Sequence, residues 1–264
     1  MRISISTGTL FVFPPEKIFA MASEVGFDGV EVVINHDFHT SRARRLMKEL
    51  AQTVPILSIH APFMPLDGWG GPIDGLKRCV EIAAELGVGL VNFHPPRWTA
   101  FQFGYMRWLY GIQDFQKEIG GGEVTVTLEN MPWTGRFSVN AYILSETQQL
   151  IDFLDKRNLY LTFDCTHMGS KRANFINDFY LCYNSGRIRN IHFSDYGHGR
   201  EHLLPGRGIL PLTRFLNHLR NTSYDQTLTL ELSPYEFPNG EQNVVDGLKE
   251  ILCYLRCETS KTTP

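Results

Sequence analysis

Paired cysteines are missing from this chain. Its five cysteines, Cys79, Cys165, Cys182, Cys253 and Cys257, are odd in number and form no CxxC. That argues against a disulfide scaffold and reads as reduced thiols in a cytoplasm. Cys253 and Cys257 lie one helical turn apart, where packing is the expected role and metal binding the alternative. No run approaches the roughly 18 consecutive apolar residues of a membrane span. The opening MRISISTGTLFVF has one early Arg and no long apolar core, so it reads as a strand rather than a signal peptide. A large excess of one charge sign is missing too: 25 Lys and Arg stand against 28 Asp and Glu. A formal net charge of −3 gives no general affinity for polyanions, although a local basic groove remains compatible with it. Linkers and low-complexity tracts are absent. A single folded unit over 1–258 is expected, with 259–264 as a frayed tail.

What is present is ordinary for a protein with a sizeable core: 264 residues, 43% hydrophobic and 20% charged. β-branched runs alternate with amphipathic ones. Strands are expected at 2–7, 29–34, 56–61, 90–95, 124–130, 159–164, 189–195 and 227–232. Helical stripes fall between them: Ile18, Ala22 and Val25; Leu46, Met47 and Leu50; Leu76, Val80 and Ala83; and Val244, Val245, Leu248, Ile251, Leu252 and Leu255. SETQQLIDFLDK carries Ser145 and Glu146 as a helix start. The stretch from Trp98 to Ile119 fits the alternation least well. Eight strand–helix units in about 250 residues predict an α/β fold, a (β/α)8 TIM barrel with its active site at the C-terminal ends of the strands.

At those ends the sequence places Glu31, His60, His94, Glu129, Asp164 with His167, His192 with Asp195, and Glu231. Alternation along each strand aims one such side chain at a common axis. Carboxylates and imidazoles gathered in a desolvated cup call for a positive centre, and a divalent metal supplies one. Mixed nitrogen and oxygen donors suit Zn or Mn. A single strand-end histidine is more often a hydrogen-bonded rim residue. Glu31 is expected to support the site or form an ion pair rather than bind metal. Four ligand-type residues in register, Glu129, Asp164, His192 and Glu231, are much harder to attribute to chance. Phe63, Trp69, Trp98, Trp133 and Tyr196 crowd the same loops, where stacking on a substrate and plain packing are both open.

The ordered set GFDGVE (26–31), SIHAPF (58–63), AAELGVGLVNFHPP (83–96), TLENMP (127–132), LTFDCTH (161–167), IHFSD (191–195), EHLLPGRG (201–208) and TLELSP (229–234) resembles the xylose isomerase-like TIM-barrel superfamily. That superfamily includes sugar isomerases and epimerases and endonuclease IV-type apurinic endonucleases. The resemblance implies a one-metal site on Glu129, Asp164, His192 and Glu231. Glu129 and Glu231 would then exchange the proton of an enediolate, and His167 would bind a substrate hydroxyl. For the endonuclease branch it implies a second metal on His60, His94 and Glu129, and a third on His167 and His202. The third normally also uses an aspartate where this chain has Arg200. A guanidinium cannot ligate, but it could clamp a phosphate or carboxylate. Arg207 is expected to be a solvated surface residue.

Three readings follow. The favoured one is a divalent-metal-dependent isomerase or epimerase of a small sugar or sugar-phosphate-like carbonyl compound. The alternative is a zinc-dependent phosphodiesterase, with nucleic acid as a partner only in that case. The third is a non-catalytic barrel that keeps a metal for stability. No membrane partner is expected, and a homo-oligomer is open.

Overall fold

The computed structural model describes residues 1–134, 139–171 and 174–260. Eight parallel strands close into a barrel: β1 Arg2–Ser6, β2 Gly29–Val33, β3 Ile56–His60, β4 Leu90–Phe93, β5 Thr125–Glu129, β6 Tyr160–Asp164, β7 Ile188–Phe193 and β8 Thr227–Leu230. Each strand pairs with its sequence neighbours, and β1 closes on β8. Between and after the strands run the helices α1 Pro15–Val25, α2 Ser41–Leu50, α3 Pro72–Leu86, α4 Phe103–Gly111, α5 Phe115–Glu118, α6 Thr147–Lys156, α7 Cys165–Ser170, α8 Phe175–Asn184, α9 Leu212–Asn221 and α10 Glu241–Thr259. This is the TIM barrel that the alternation predicts. Two short antiparallel hairpins, Trp133–Thr134 with Val139–Asn140 and Asp195–Gly197 with Arg200–Leu203, rise from the ends of β5 and β7.

Strand alternation explains how one chain builds both a core and a cup. Outward positions are apolar and buried against the helices: Ile3 and Ile5, Val30 and Val32, Val126 and Leu128, Leu161 and Phe163, Ile191 and Phe193, Leu228 and Leu230. Phe163, Phe179 and Phe215 weld β6 to α8 and α9, with the last two ring centroids 4.4 Å apart. Inward positions are small and polar. Ser4 meets Thr229 at 2.7 Å, and Thr162 donates to Thr127 at 2.8 Å. Asn190 on β7 reaches across the axis to Glu31 on β2, its amide donating at 3.1 Å.

Several expectations need correction. Trp98 to Ile119, the stretch that fits the alternation least well, holds α4 and α5. Ser145 and Glu146 precede α6 rather than open it; Glu146 is the capping position but accepts no side-chain cap bond, and Ser145 is buried. Cys253 and Cys257 are both exposed on α10, because the buried stripe runs through Val244, Val245, Leu248, Leu252 and Leu255 instead. α10 continues through Thr259, so the expected fray does not begin there; residues 261–264 lie outside the described residues, as do 135–138 of the loop after β5. Among the described residues, no helix is long and apolar enough to cross a membrane.

Candidate metal centre

Four successive strands, β5 to β8, each bring one donor to the C-terminal mouth: Glu129, Asp164, His192 and, one residue past β8, Glu231. One ligand atom from each lies within 4.8 Å of all the others. His192 Nδ1 stands 2.8 Å from Glu231 Oε2, 3.5 Å from Glu129 Oε2 and 3.7 Å from Asp164 Oδ2. Yet His192 Nδ1, Asp164 Oδ2 and Glu231 Oε2 are all buried without a hydrogen-bond partner. Atoms this close with no bonding alignment face a shared point instead of one another. Each orphaned polar atom costs on the order of 1–3 kcal/mol. A divalent cation at that point would satisfy all of them, so the residues fit a metal.

Local structure fixes each donor. Asp164 ends β6 and caps α7: its Oδ1 accepts from the His167 backbone N–H at 2.6 Å, which leaves Oδ2 to the cup. That division of labour explains the Asp–x–x–His spacing. His192 Nε2 faces the fully buried Glu31, 3.0 Å from Oε1. Glu31 also accepts from Ser58 Oγ at 2.8 Å. The Glu31 carboxylate thereby holds the imidazole with Nδ1 toward the cup, the arrangement usual behind a ligating histidine.

Glu129 is the hub. Its carboxylate accepts from the Asn92 amide and lies 3.2 Å from His60 Nε2, 3.4 Å from His94 Nε2 and 3.0 Å from His167 Nδ1. His60 Nδ1 is 2.7 Å from the Ala61 carbonyl, which points Nε2 into the site. His60, His94 and Glu129 thus form a second group of metal-type donors.

His167, Glu201 and His202 form a third. Glu201 is not among the residues expected from the sequence, where the position two before His202 is Arg200. Alternation along the hairpin would put Glu201 and His202 on opposite faces. His202 adopts a left-handed backbone, φ 54°, which breaks that alternation. Arg200 itself does not reach the cup. Its side chain is 67% exposed and pairs with Glu236, to which Arg207 is also bonded. The expected substrate clamp at Arg200 is therefore not formed, and Arg207 is ion-paired rather than merely solvated.

Asp195 also departs from the strand-end set. Its carboxylate accepts backbone N–H bonds from Tyr196, Gly206, Gly208 and Leu210, so it knits the loop above β7. A Cβ at Gly208 would fall 2.3 Å from Asp195 Oδ1, so only glycine fits there. Among the aromatics, Phe63 is exposed and stacks beside His94, with centroids 6.0 Å apart. Trp98 is half exposed, with its indole donating to the Asn140 carbonyl at 2.7 Å. Trp133 is partly buried beside α7, its backbone N–H donating to Ser170 Oγ at 2.9 Å. Trp69 is buried and donates to His39, a packing role.

The protonation states reflect a cup built around positive charge. Burial alone would lower the pKa of His192, but the Glu31, Glu129 and Glu231 carboxylates raise it well above the ordinary imidazole value. Burial works the same way on His167, and Asp164 and Glu129 bring it up to about 10. Burial lifts Asp164 to about 6 against the pull of His167. Burial would lift Glu129 and Glu231 as well, yet His192 brings both below the usual carboxylate range.

Comparison with known proteins fits this architecture. The chain is 27% identical over 259 residues to an uncharacterized protein of Mycobacterium leprae (strain TN), covering 88% of this chain and 89% of the relative. A D-tagatose 3-epimerase-like protein superposes with a TM-score of 0.71 at 20% identity, over 98% of this chain and 100% of the other. Endonuclease IV from Thermus thermophilus superposes with a TM-score of 0.62 at 17% identity, over 97% and 99%. At these identities the two superpositions establish the shared fold. Residues 19–254 match the family model described as xylose isomerase-like TIM barrel, and the chain belongs to that family.

Proposed function

We propose that this protein is a divalent-metal-dependent isomerase or epimerase acting on a small polyhydroxy carbonyl compound. The observation that carries the reading is the convergence of Glu129, Asp164, His192 and Glu231 with three orphaned donor atoms facing one point. These residues would hold the ion. When bound, the ion would supply a Lewis acid for the carbonyl and neighbouring hydroxyl oxygens of the substrate.

The rest is the work of side chains. Glu129 and Glu231 come from the outer two of four adjacent strands, so they flank the centre from opposite sides. Their carboxylates are ionised, and one can take the proton next to the carbonyl while the other returns a proton to the opposite face. Glu231 has a 21% exposed side chain and His94 a 20% exposed one, so the cup opens to solvent at both residues. His167 lies beside both Glu129 and Asp164 and can donate to a substrate hydroxyl.

The second reading is a zinc-dependent phosphodiesterase. It is favoured by the other two donor groups, His60–His94–Glu129 and His167–Glu201–His202, which together with the first could hold three ions. Metal content of protein purified without chelator separates the readings. One tightly held ion, with deuterium from heavy water exchanging into a ketose next to its carbonyl, supports the isomerase. Two or three zinc ions with cleavage of DNA at abasic sites, and no exchange, would replace it with the hydrolase.

A further inference from the structure

The mouth of the barrel holds a cation that none of the roles above uses. β4 ends at Phe93, His94 turns to Glu129, and Pro95 and Pro96 stiffen the exit. Arg97 follows, and its backbone pairs in antiparallel fashion with Tyr142. The pairing is braced on both sides. Ile143 N–H donates to the Pro96 carbonyl and Trp98 N–H to the Ala141 carbonyl, both at 3.1 Å. The Trp98 indole N–H adds a bond to the Asn140 carbonyl, and the Arg97 N–H donates to Gln102 Oε1 at 2.7 Å. An arginine on a free surface loop needs none of this support.

The guanidinium lies 5.0 Å over the Tyr142 ring. Burial raises the pKa of the Tyr142 hydroxyl, which also feels the charges of Arg97, Glu129 and Glu201. The phenol therefore keeps its proton for donation. Arg97, Gln102 and Tyr142 line a single cleft with His94, Phe63 and Ala61. A molecule gripped at the cup would extend its far end past His94 toward these groups.

Charge bookkeeping picks out the ligand. Arg200 and Arg207, the arginines of the neighbouring hairpin and loop, are both tied to Glu236. Among the described residues, no carboxylate lies within ion-pair distance of Arg97, and Glu129 faces His94, three residues earlier in the chain, at 3.4 Å. Glu129, Asp164, Glu231 and Glu201 would repel an anionic substrate unless a cation received its charged end away from them. A planar guanidinium beside a phenol hydroxyl is a donor pair suited to an oxyanion.

We propose that the Arg97–Tyr142 cleft is a subsite for an oxyanion, a phosphate monoester or a carboxylate, carried by the substrate at the end remote from the carbons that face the metal centre. This rests on the isomerase reading and deepens it, since the substrate class becomes a sugar phosphate or a sugar acid rather than a neutral sugar.

The test is binding of D-ribose, D-ribose 5-phosphate and D-ribonate to the full chain by calorimetry at fixed ionic strength, with metal content and circular dichroism measured in parallel. A charge-assisted contact predicts that at least one anionic probe binds about tenfold to a hundredfold more tightly than ribose. Gain with the phosphate alone assigns a phosphate monoester; gain with the ribonate alone assigns a carboxylate. In Arg97→Ala, and in Arg97→Gln should the first fold poorly, the gain falls to within about twofold of ribose at unchanged metal content. Tyr142→Phe loses part of it, and Arg200→Ala keeps it whole. No preference for either anion, or a preference that survives both Arg97 variants, overturns the proposal. A chain that holds metal and binds ribose without charge preference sinks the subsite alone. A chain that prefers the anions but binds no metal sinks the isomerase reading and leaves the subsite standing.

Discussion

Glu31→Gln tests the centre without replacing any proposed ligand. Glu31 is fully buried and makes three contacts: it accepts from Ser58 Oγ at 2.8 Å and from Asn190 Nδ2 at 3.1 Å, and His192 Nε2 lies 3.0 Å from its second oxygen. Glutamine keeps the volume but offers one acceptor oxygen and one amide donor. If the oxygen stays with Ser58 and Asn190, an N–H is pushed against His192 Nε2–H. If it turns to His192, the other two donors lose their partner. Either way His192 is freed to change tautomer or tilt, and Nδ1 leaves the point shared with Glu231 and Asp164. Loss of such a supporting carboxylate costs about 10- to 100-fold in metal affinity, or roughly 1.4–2.8 kcal/mol. Competition against a chromophoric chelator should show that weakening with the same number of ions at saturation. Glu24→Gln, an exposed carboxylate paired with Lys249, should change nothing. A Glu31→Gln protein that holds metal as tightly as wild type would refute the argument that this cluster is built around an ion.

Three further outcomes are expected. Glu129→Gln and Glu231→Gln should each lower turnover by about 10²- to 10⁴-fold while leaving the folded far-ultraviolet spectrum intact, since both line the cup; a double variant with normal turnover sinks the paired-carboxylate mechanism. His192→Ala should lose more bound metal than His202→Ala, as read by elemental analysis, because Nδ1 of His192 is within 3.7 Å of three carboxylates while His202 belongs to a separate group. Metal-free protein should lose thermal stability as pH rises from about 6.5 toward 10. His192 and His167 have folded pKa values raised above the unfolded imidazole value, so their stabilisation is complete below that value and disappears as pH climbs through the folded ones. Melting curves with and without chelator check this; a flat chelated profile over that range would contradict the charge assignment.

The barrel is legible in the sequence because its strands alternate so cleanly. Ile3, Ile5, Val30 and Val32 mark an apolar outer face, and the residues between them mark the inner one. The expected strand ends run one or two residues too long at Asn130, Pro95 and Asp195. There Asn130, Pro95 and Asp195, residue types depleted in strands, already mark where the chain leaves the ladder. The four principal donors stand out because ligand-type residues recur at the same place in successive units. What the sequence hides is of two kinds. Ser58, Asn92 and Asn190 orient Glu31 and Glu129, but a neutral polar residue in a strand carries no periodic signal. Glu201 is hidden by the left-handed turn at His202, which no one-dimensional pattern encodes. An acid directly before a histidine is the only available hint. Exposure of Cys253 and Cys257 shows the same limit: two positions four apart share a helix face, but which face is buried depends on the neighbouring helix.

The polar axis explains why the cup can be so crowded with charge and still hold its shape. An axis of valine and leucine would give more burial and no anchors. Here Ser4 bonds Thr229, Thr229 bonds Asn190, and Asn190 bonds Glu31, which faces His192. A parallel branch runs from Thr162 through Thr127 to Asn92 and on to Glu129. Each bond adds only about 1 kcal/mol to stability. Their consequence is positional, because a donor set must be held to a fraction of an ångström to favour one charged arrangement over another. The strands thus give up some hydrophobic stabilisation inside the barrel, and the helices packed on its outside restore it through the phenylalanine cluster around Phe163. Stability is concentrated on the outer layer, and the inner layer is left free to carry the chemistry.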